Sequence, residues 1–186
     1  MQNLNIPNAN FGIVRDLLTD YQVKMLMQEL EALKWQQFRN MPRTNAAFGK
    51  GYTYSGVTHP TTKMPTFLKD LSILCSNAVE FPINYWDSVL LNKYANGKDS
   101  IGFHSDDEPE LGYNPRVMAV SLGAERTFTL IDKATKQEHN IVLPHNSLIL
   151  MGNMSQVMYQ HGIRKDPSCN TQRISITYRH HEVQIK

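Results

Sequence analysis

The triplet His104-Ser105-Asp106 sets an imidazole and a carboxylate two residues apart. In an extended strand, positions i and i+2 project to the same side, so the two groups aim at one point. A third ligand must come from elsewhere in the chain. His161, in Met158-Tyr159-Gln160-His161-Gly162, is the candidate. Two imidazoles and a carboxylate on one face of a metal leave positions open, which is the donor set of non-haem Fe(II) oxygen chemistry. A chelating cosubstrate would take two of those positions and O2 one. His59, His139, His145, His180 and His181 have no comparable partner in the sequence.

A second pattern lies near the end of the chain. In Arg173-Ile174-Ser175-Ile176-Thr177-Tyr178-Arg179 the even positions are apolar and the odd ones carry two guanidinium groups and two hydroxyls. An ordinary solvated face has no need of that set, whereas a barrel lumen that binds an anion does. Arginine's planar fork matches a carboxylate bidentately. At ~3.3 Å per residue the two arginine Cα atoms stand about 20 Å apart, so long side chains leaning inward could grip a small dicarboxylate. Asn92 and Tyr94, two apart in Asn92-Lys93-Tyr94, also share a face and can both hydrogen-bond a carboxylate.

These residues need elements to hold them. Thr19-Asp20-Tyr21-Gln22 fits a capping box, and Val23, Leu26, Met27, Leu30 and Leu33 follow at helical spacing, predicting an amphipathic helix over 20–34. Phe67, Leu68, Leu71, Leu74, Cys75 and Ala78 predict a second helix with Pro65 in its first turn. Residues 36–56 read as short strands and turns. From about residue 86 short β-rich runs recur at 89–94, 116–122, 126–132, 139–143, 147–151, 157–161 and 173–180, most of them separated by turn residues. Two helices followed by many short strands predict a mainly β chain: a jelly-roll barrel with helices on one outer face.

Composition sets the bounds. The 186 residues suffice for one domain, with the helices and short strands in about 1–85 and the β-rich core in about 86–180. Hydrophobic residues make up 41%, which excludes wholesale disorder. No run approaches ~18 consecutive apolar residues, so no membrane-spanning helix is expected. The N-terminus has no basic and apolar pattern of a secretory signal, and two cysteines, Cys75 and Cys169, suit a reducing compartment. An intracellular protein, cytoplasmic or in the nucleoid or nucleus, is expected. The formal net charge is +2, so nucleic-acid binding would have to use a local patch.

Taken together, Asn92-x-Tyr94, His104-x-Asp106, His161 and Arg173-x5-Arg179, in this order, resemble the AlkB family of Fe(II)- and 2-oxoglutarate-dependent dioxygenases over about residues 36–180. Tyr52-Thr53-Tyr54-Ser55-Gly56, the run 104–112 and Ser121 to Phe128 look most like the branch that repairs alkylated nucleic acid. The resemblance implies a double-stranded β-helix core with an N-terminal α/β nucleotide-recognition lid. It implies that His104, Asp106 and His161 hold Fe(II), with 2-oxoglutarate and O2 as cosubstrates. Asn92, Tyr94, Arg173, Ser175, Thr177 and Arg179 would bind 2-oxoglutarate, with Arg179 nearer the keto-acid end. Tyr54 would stack on the damaged base, Tyr52, Asp107, Glu108 and Arg126 would line its pocket and entrance, and Arg43 would sit in a lid meeting the nucleic-acid backbone.

The implied reaction is oxidative demethylation of bases such as 1-methyladenine and 3-methylcytosine, releasing formaldehyde, succinate and CO2. The segment Gln36–Met41 is short where duplex-specific relatives insert a longer hairpin, so alkylated single-stranded DNA or RNA is the expected substrate, with Phe38 as a modest wedge and the protein a monomer. Ser175 stands where the family commonly has Asn. A backbone-binding patch would draw on Lys34, Arg39, Arg43, Lys50, Arg164 and Lys165. Two other readings compete: a protein or small-molecule hydroxylase using the same metal chemistry, and a non-catalytic nucleic-acid-binding module.

Overall fold

The alternation along 173–179 is realised in full: all seven residues of this strand are buried, because both of its faces are covered. The computed structural model describes residues 1–37, 42–54 and 57–182, with 52–54 and 57–59 as backbone only. Its strands are β1 (Gln2–Asn3), β2 (Phe11–Val14), β3 (Thr44–Gly49), β4 (Tyr52–Tyr54), β5 (Val57–His59), β6 (Ser88–Tyr94), β7 (Ile101–His104), β8 (Val117–Gly123), β9 (Arg126–Asp132), β10 (Glu138–Leu143), β11 (Ser147–Met151), β12 (Tyr159–Ile163) and β13 (Arg173–Arg179). Helices are α1 (Asp20–Glu31), α2 (Thr66–Val79) and the single turn α3 (Ser155–Met158).

The strands make an antiparallel major sheet in the order β1-β2-β11-β8-β13-β6-β3 and a minor sheet in the order β10-β9-β12-β7, with β4-β5 as a separate ribbon. The two sheets enclose an apolar layer of Phe11, Ile13, Val117, Phe128, Leu130, Ile149 and Ile163. The other face of the major sheet packs under the helices: Ile174, Ile176 and Tyr178 of β13 join Leu30, Leu68, Leu71 and Cys75. That leaves Arg173, Ser175, Thr177 and Arg179 on the inter-sheet side. Tyr178 is buried there with its hydroxyl donating to the Leu68 carbonyl, tying β13 to α2.

Helix α1 begins where its capping box predicts: Thr19 Oγ1 accepts from the Gln22 amide and Gln22 Oε1 from the Thr19 amide. It ends at Glu31, short of 34. Pro65 is the N-cap of α2 rather than a member of its first turn, its ψ of 149° being extended. The expected division near residue 85 is crossed by strand pairing. β2 pairs with β11 and β3 with β6, so the N-terminal segment extends the major sheet. The strand expected over 157–161 starts instead at Tyr159, after α3. Among the described residues, no helix is long and apolar enough to cross a membrane.

Candidate metal centre

Strand register brings the polar residues together. β13 lies between β6 and β8, with Arg173 opposite Tyr94, Ser175 opposite Asn92 and Ser121, and Thr177 opposite Leu90 and Ala119. Directly opposed side chains of an antiparallel pair share a face. Asn92, Tyr94, Arg173, Ser175, Thr177 and Arg179 therefore line one cavity, which the minor sheet closes with Ile101, His104, Phe128 and His161. The cavity leaves about 40 Å³ open to water.

His104 and His161 are partners across β7 and β12. Their rings lie 4.3 Å apart, centroid to centroid. Asp106 is not in the strand with His104: β7 ends at His104, and the chain turns inward. Ser105 Oγ donates to the Tyr159 carbonyl at 2.9 Å, and the Asp106 amide donates to Gln156 Oε1 at 2.9 Å. This turn brings Asp106 up to the two imidazoles. The nearest ring nitrogens of His104 and His161 stand 3.7 and 3.9 Å from its two oxygens, and the three ligand atoms lie within 4.8 Å of one another.

The protonation states suit a cation. His104 Nδ1 sits 2.9 Å from the Gly102 carbonyl, which only accepts, so Nδ1 donates to it and Nε2 is the ring nitrogen turned toward Asp106. Burial, followed by the neighbouring His104, brings the His161 imidazole down to about 3, so it is neutral. Burial alone would raise Asp106, but Arg179 and the two imidazoles outweigh it and bring the carboxyl to about 2. Arg179 donates to Asp106 Oδ1 at 2.8 Å, while Oδ2 is buried without a hydrogen bond. An ionised, fully buried carboxylate with Oδ2 left unbonded, and an imidazole nitrogen near each of its oxygens, is the donor set a divalent cation requires. The residues fit the metal.

At the other end of β13, Arg173 Nε donates to Ser121 Oγ at 2.9 Å and the guanidinium lies 5.2 Å from the Tyr94 ring. Its Nη1 is buried without a hydrogen bond, a donor left over for an anion. Ser175 and Thr177 hydroxyls face each other at 3.4 Å. The polar face read from the alternation thus lines one cavity, with one arginine at each end, Arg179 bonded to Asp106 and Arg173 to Ser121.

The other anticipated residues divide. Arg43 does not face solvent from a lid. It is 7% exposed, donates from Nε to Asn92 Oδ1 at 2.8 Å and from Nη1 to the Ser100 carbonyl at 3.2 Å. Arg126 is 2% exposed and donates to the carbonyls of Asn96, Asp99 and Arg164, with its guanidinium 5.9 Å from the Tyr94 ring. It lies on the Tyr94 side of the cavity, as a clamp on the loops that carry those carbonyls. Glu108 is half-buried beside Asp106. Burial and then the Asp106 charge push its carboxyl up to about 7. Asp107 points outward, 4.0 Å from Lys133. Tyr52 and Tyr54 lie on β4, their side chains outside the described residues, as are Phe38, Arg39, Ser55 and Gly56. Of the anticipated surface cations, Lys50 pairs with Asp87 at 2.9 Å and Arg164 with Glu138.

Gln156 carried no sequence signal. It is 1% exposed and supplies the acceptor that fixes the Asp106 amide. Its position a short turn before His161 would be the only clue. Asp87 likewise went unread. Its carboxylate takes Lys50 at the base of the β4–β5 ribbon and His181 Nδ1 at 2.8 Å just beyond Arg179.

Comparison with known proteins agrees with this geometry. Residues 7–179 match the model of the 2OG-Fe(II) oxygenase superfamily. A solved structure of OsALKBH1 superposes with a TM-score of 0.67 over 95% of this chain and 99% of that one, at 19% identity, which shows the shared fold. Alpha-ketoglutarate-dependent dioxygenase alkB homolog 3 of Mus musculus is 33% identical over 177 residues, 90% of this chain and 60% of its own length. The DNA oxidative demethylase ALKBH2 of Bos taurus is 29% identical over 161 residues, 78% and 54% respectively. The chain belongs to the 2OG-Fe(II) oxygenase superfamily, and within it to the AlkB family. Fe(II), 2-oxoglutarate and O2 are the metal and cosubstrates of that superfamily. The chain spans 51–60% of the length of the alkB homolog 3 relatives it matches.

Proposed function

We propose that this protein is an Fe(II)- and 2-oxoglutarate-dependent oxidative demethylase of N-alkylated bases in nucleic acid, of the 1-methyladenine and 3-methylcytosine type, acting preferentially on single strands. The observation that carries the reading is one cavity holding His104, Asp106 and His161 at one end of β13 and the buried, donor-bearing Arg173 at the other.

Fe(II), held by His104, Asp106 and His161, supplies the activation of O2 that a protein side chain cannot perform. The chain's own residues do the rest. Arg173, Tyr94 and Asn92 hold one carboxylate of 2-oxoglutarate, and Ser175 and Thr177 line its path. Arg179 keeps Asp106 ionised and in place while facing the keto-acid end. The apolar walls, Leu90, Ile101, Phe128 and Ile163 among them, exclude water.

The base reaches this centre by leaving its stack, as it must for chemistry on a ring substituent. The β4–β5 ribbon is the proposed lid, with Tyr54 stacking on the extruded base and Tyr52 beside it. Its support is the Lys50–Asp87–His181 link, which seats the ribbon's base beside the Arg179 end of β13. Glu108, half-buried next to Asp106, faces the cationic lesion, with Asp107 at the rim. The methyl carbon leaves as formaldehyde and 2-oxoglutarate as succinate and CO2.

The test is an assay of anaerobically purified, Fe(II)-loaded protein with 2-oxoglutarate and matched DNA and RNA oligonucleotides carrying 3-methylcytosine, single- and double-stranded. Formaldehyde in step with succinate, lost in His104→Ala, is the expected result. Succinate without formaldehyde on every oligonucleotide would overturn the nucleic-acid substrate. Neither product from metal-loaded protein would overturn the enzyme.

A further inference from the structure

We infer that Arg43 is a positioning residue for 2-oxoglutarate: it sets the orientation of the Asn92 amide so that the NH2 group, not the oxygen, faces the cosubstrate pocket. The inference rests on the cosubstrate reading of that pocket.

The argument is one of donors and acceptors. A guanidinium has N–H groups and no acceptor. Whatever atom of Asn92 meets Arg43 Nε at 2.8 Å must therefore be the carbonyl oxygen. Asn92 is 5% exposed and lines the cavity, and its amide NH2 makes no hydrogen bond among the described residues. With Oδ1 held, the NH2 group is the face left for a ligand, and a carboxylate oxygen accepts from it. Turned the other way, Asn92 would present an oxygen to an anion and repel it.

Arg43 is itself well fixed for this role. It is buried, and Nη1 donates to the carbonyl of Ser100, one residue before β7. One side chain thus joins the start of β3, the pocket wall on β6 and the strand that ends in His104. The register places Asn45 opposite Asn92 and Thr44 opposite Lys93, so Arg43 continues β3 past the Asn92 level. By alternation Arg43 shares the face of Asn45 and so of Asn92, and its long side chain reaches back to the amide without itself lining the cavity.

The experiment measures 2-oxoglutarate binding calorimetrically under anaerobic conditions to Mn(II)-loaded protein, without turnover. Arg43→Ala should weaken 2-oxoglutarate binding at least tenfold while leaving Mn(II) affinity within about twofold. Arg43→Lys keeps one donor and should recover part of the loss. In an Asn92→Ala background, Arg43→Ala should have little further effect, because an action through Asn92 disappears with it. Full affinity in Arg43→Ala would overturn the inference, as would an undiminished Arg43→Ala effect in the Asn92→Ala background. Should Arg43→Ala not fold, Arg43→Lys and Arg43→Gln carry the same comparison: Gln can donate to Asn92 Oδ1 but can also accept, so its affinity should fall below that of Lys. Equal wild-type affinity in Lys and Gln would then overturn it. Failure of the pocket reading is distinct: wild-type protein that does not bind 2-oxoglutarate, or Asn92→Ala that binds it normally, sinks that reading before Arg43 is tested.

Discussion

The chemistry of the site depends on how three side chains are kept in their protonation states. Asp106 is ionised although wholly buried, because the Arg179 guanidinium bonds it and outweighs the cost of burial. Removing one member of a buried ion pair strands the other and costs about 3–5 kcal/mol. Asp106→Ala should therefore be destabilised by that order, whereas Asp106→Asn, which keeps an acceptor for Arg179, should lose much less. Urea unfolding of the two variants measures the difference, and both should lose Mn(II) binding. Gln156 acts through the backbone. With Gln156→Leu the buried Asp106 amide loses its acceptor, at a cost of about 1–3 kcal/mol. The same change should lower metal affinity about 10- to 100-fold, as loss of a ligand's supporting hydrogen bond does. Mn(II) titration and thermal unfolding would show both effects together.

Among the elements, the connections matter as much as the strands. The β6–β7 turn leads into the strand that ends in His104, and it is locked to residues 166–169. Gly97 donates to the Cys169 carbonyl and accepts from the Asp166 amide, both at 2.8 Å. A Cβ at Gly97 would meet the Asp166 carbonyl oxygen at 1.6 Å, so the two segments must part to admit it. Gly97→Ala should cost about 1–3 kcal/mol as overpacking, read by urea unfolding, with a matching loss of metal affinity. The ribbon's anchor is electrostatic. Burial raises the Asp87 carboxyl, but the bonds from His181 and Lys50 outweigh it and hold it below its ordinary value. A carboxyl whose native pKa lies below its unfolded one, about 3.9, stabilises the fold in full above that pH. The contribution disappears as pH falls through the lower native value. Wild type should therefore melt above Asp87→Asn at pH 7, and the gap should close on acidification below about pH 4.

For the whole molecule, the metal should report on the assembled fold, because its ligands come from the end of β7, the turn after it and β12. Mn(II) at 100 times its Kd should stabilise wild type by about 2.7 kcal/mol, seen as a rise in Tm, and chelator should reverse it. His161→Ala should show neither response. Much of this site was legible in the chain. The two arginines of β13 and the Asn92–Tyr94 pair could be read because strand alternation is a local rule: neighbours two apart share a face wherever the strand ends up. His104 and Asp106 were read by the same rule and do converge, though through a turn held by Gln156 and Ser105 and not along a straight strand.

What escaped the sequence has a common cause. Arg43 and Arg126 read as residues for a lid and a base pocket, and each is buried on carbonyl or amide oxygens from distant segments. The β2 strand is four residues long, and its partner β11 lies at the far end of the chain. Nothing local marks such a residue or strand, because the groups that satisfy it are brought close only by the folded sheets. The sequence by itself determined the two long helices and most of the strands, the metal donor set and the polar face of β13, all encoded in spacings of a few residues. The tertiary structure decided which polar groups those elements spend on holding each other and which they leave for a ligand, since a buried hydrogen bond needs both partners in place and one of them is nearly always elsewhere in the chain.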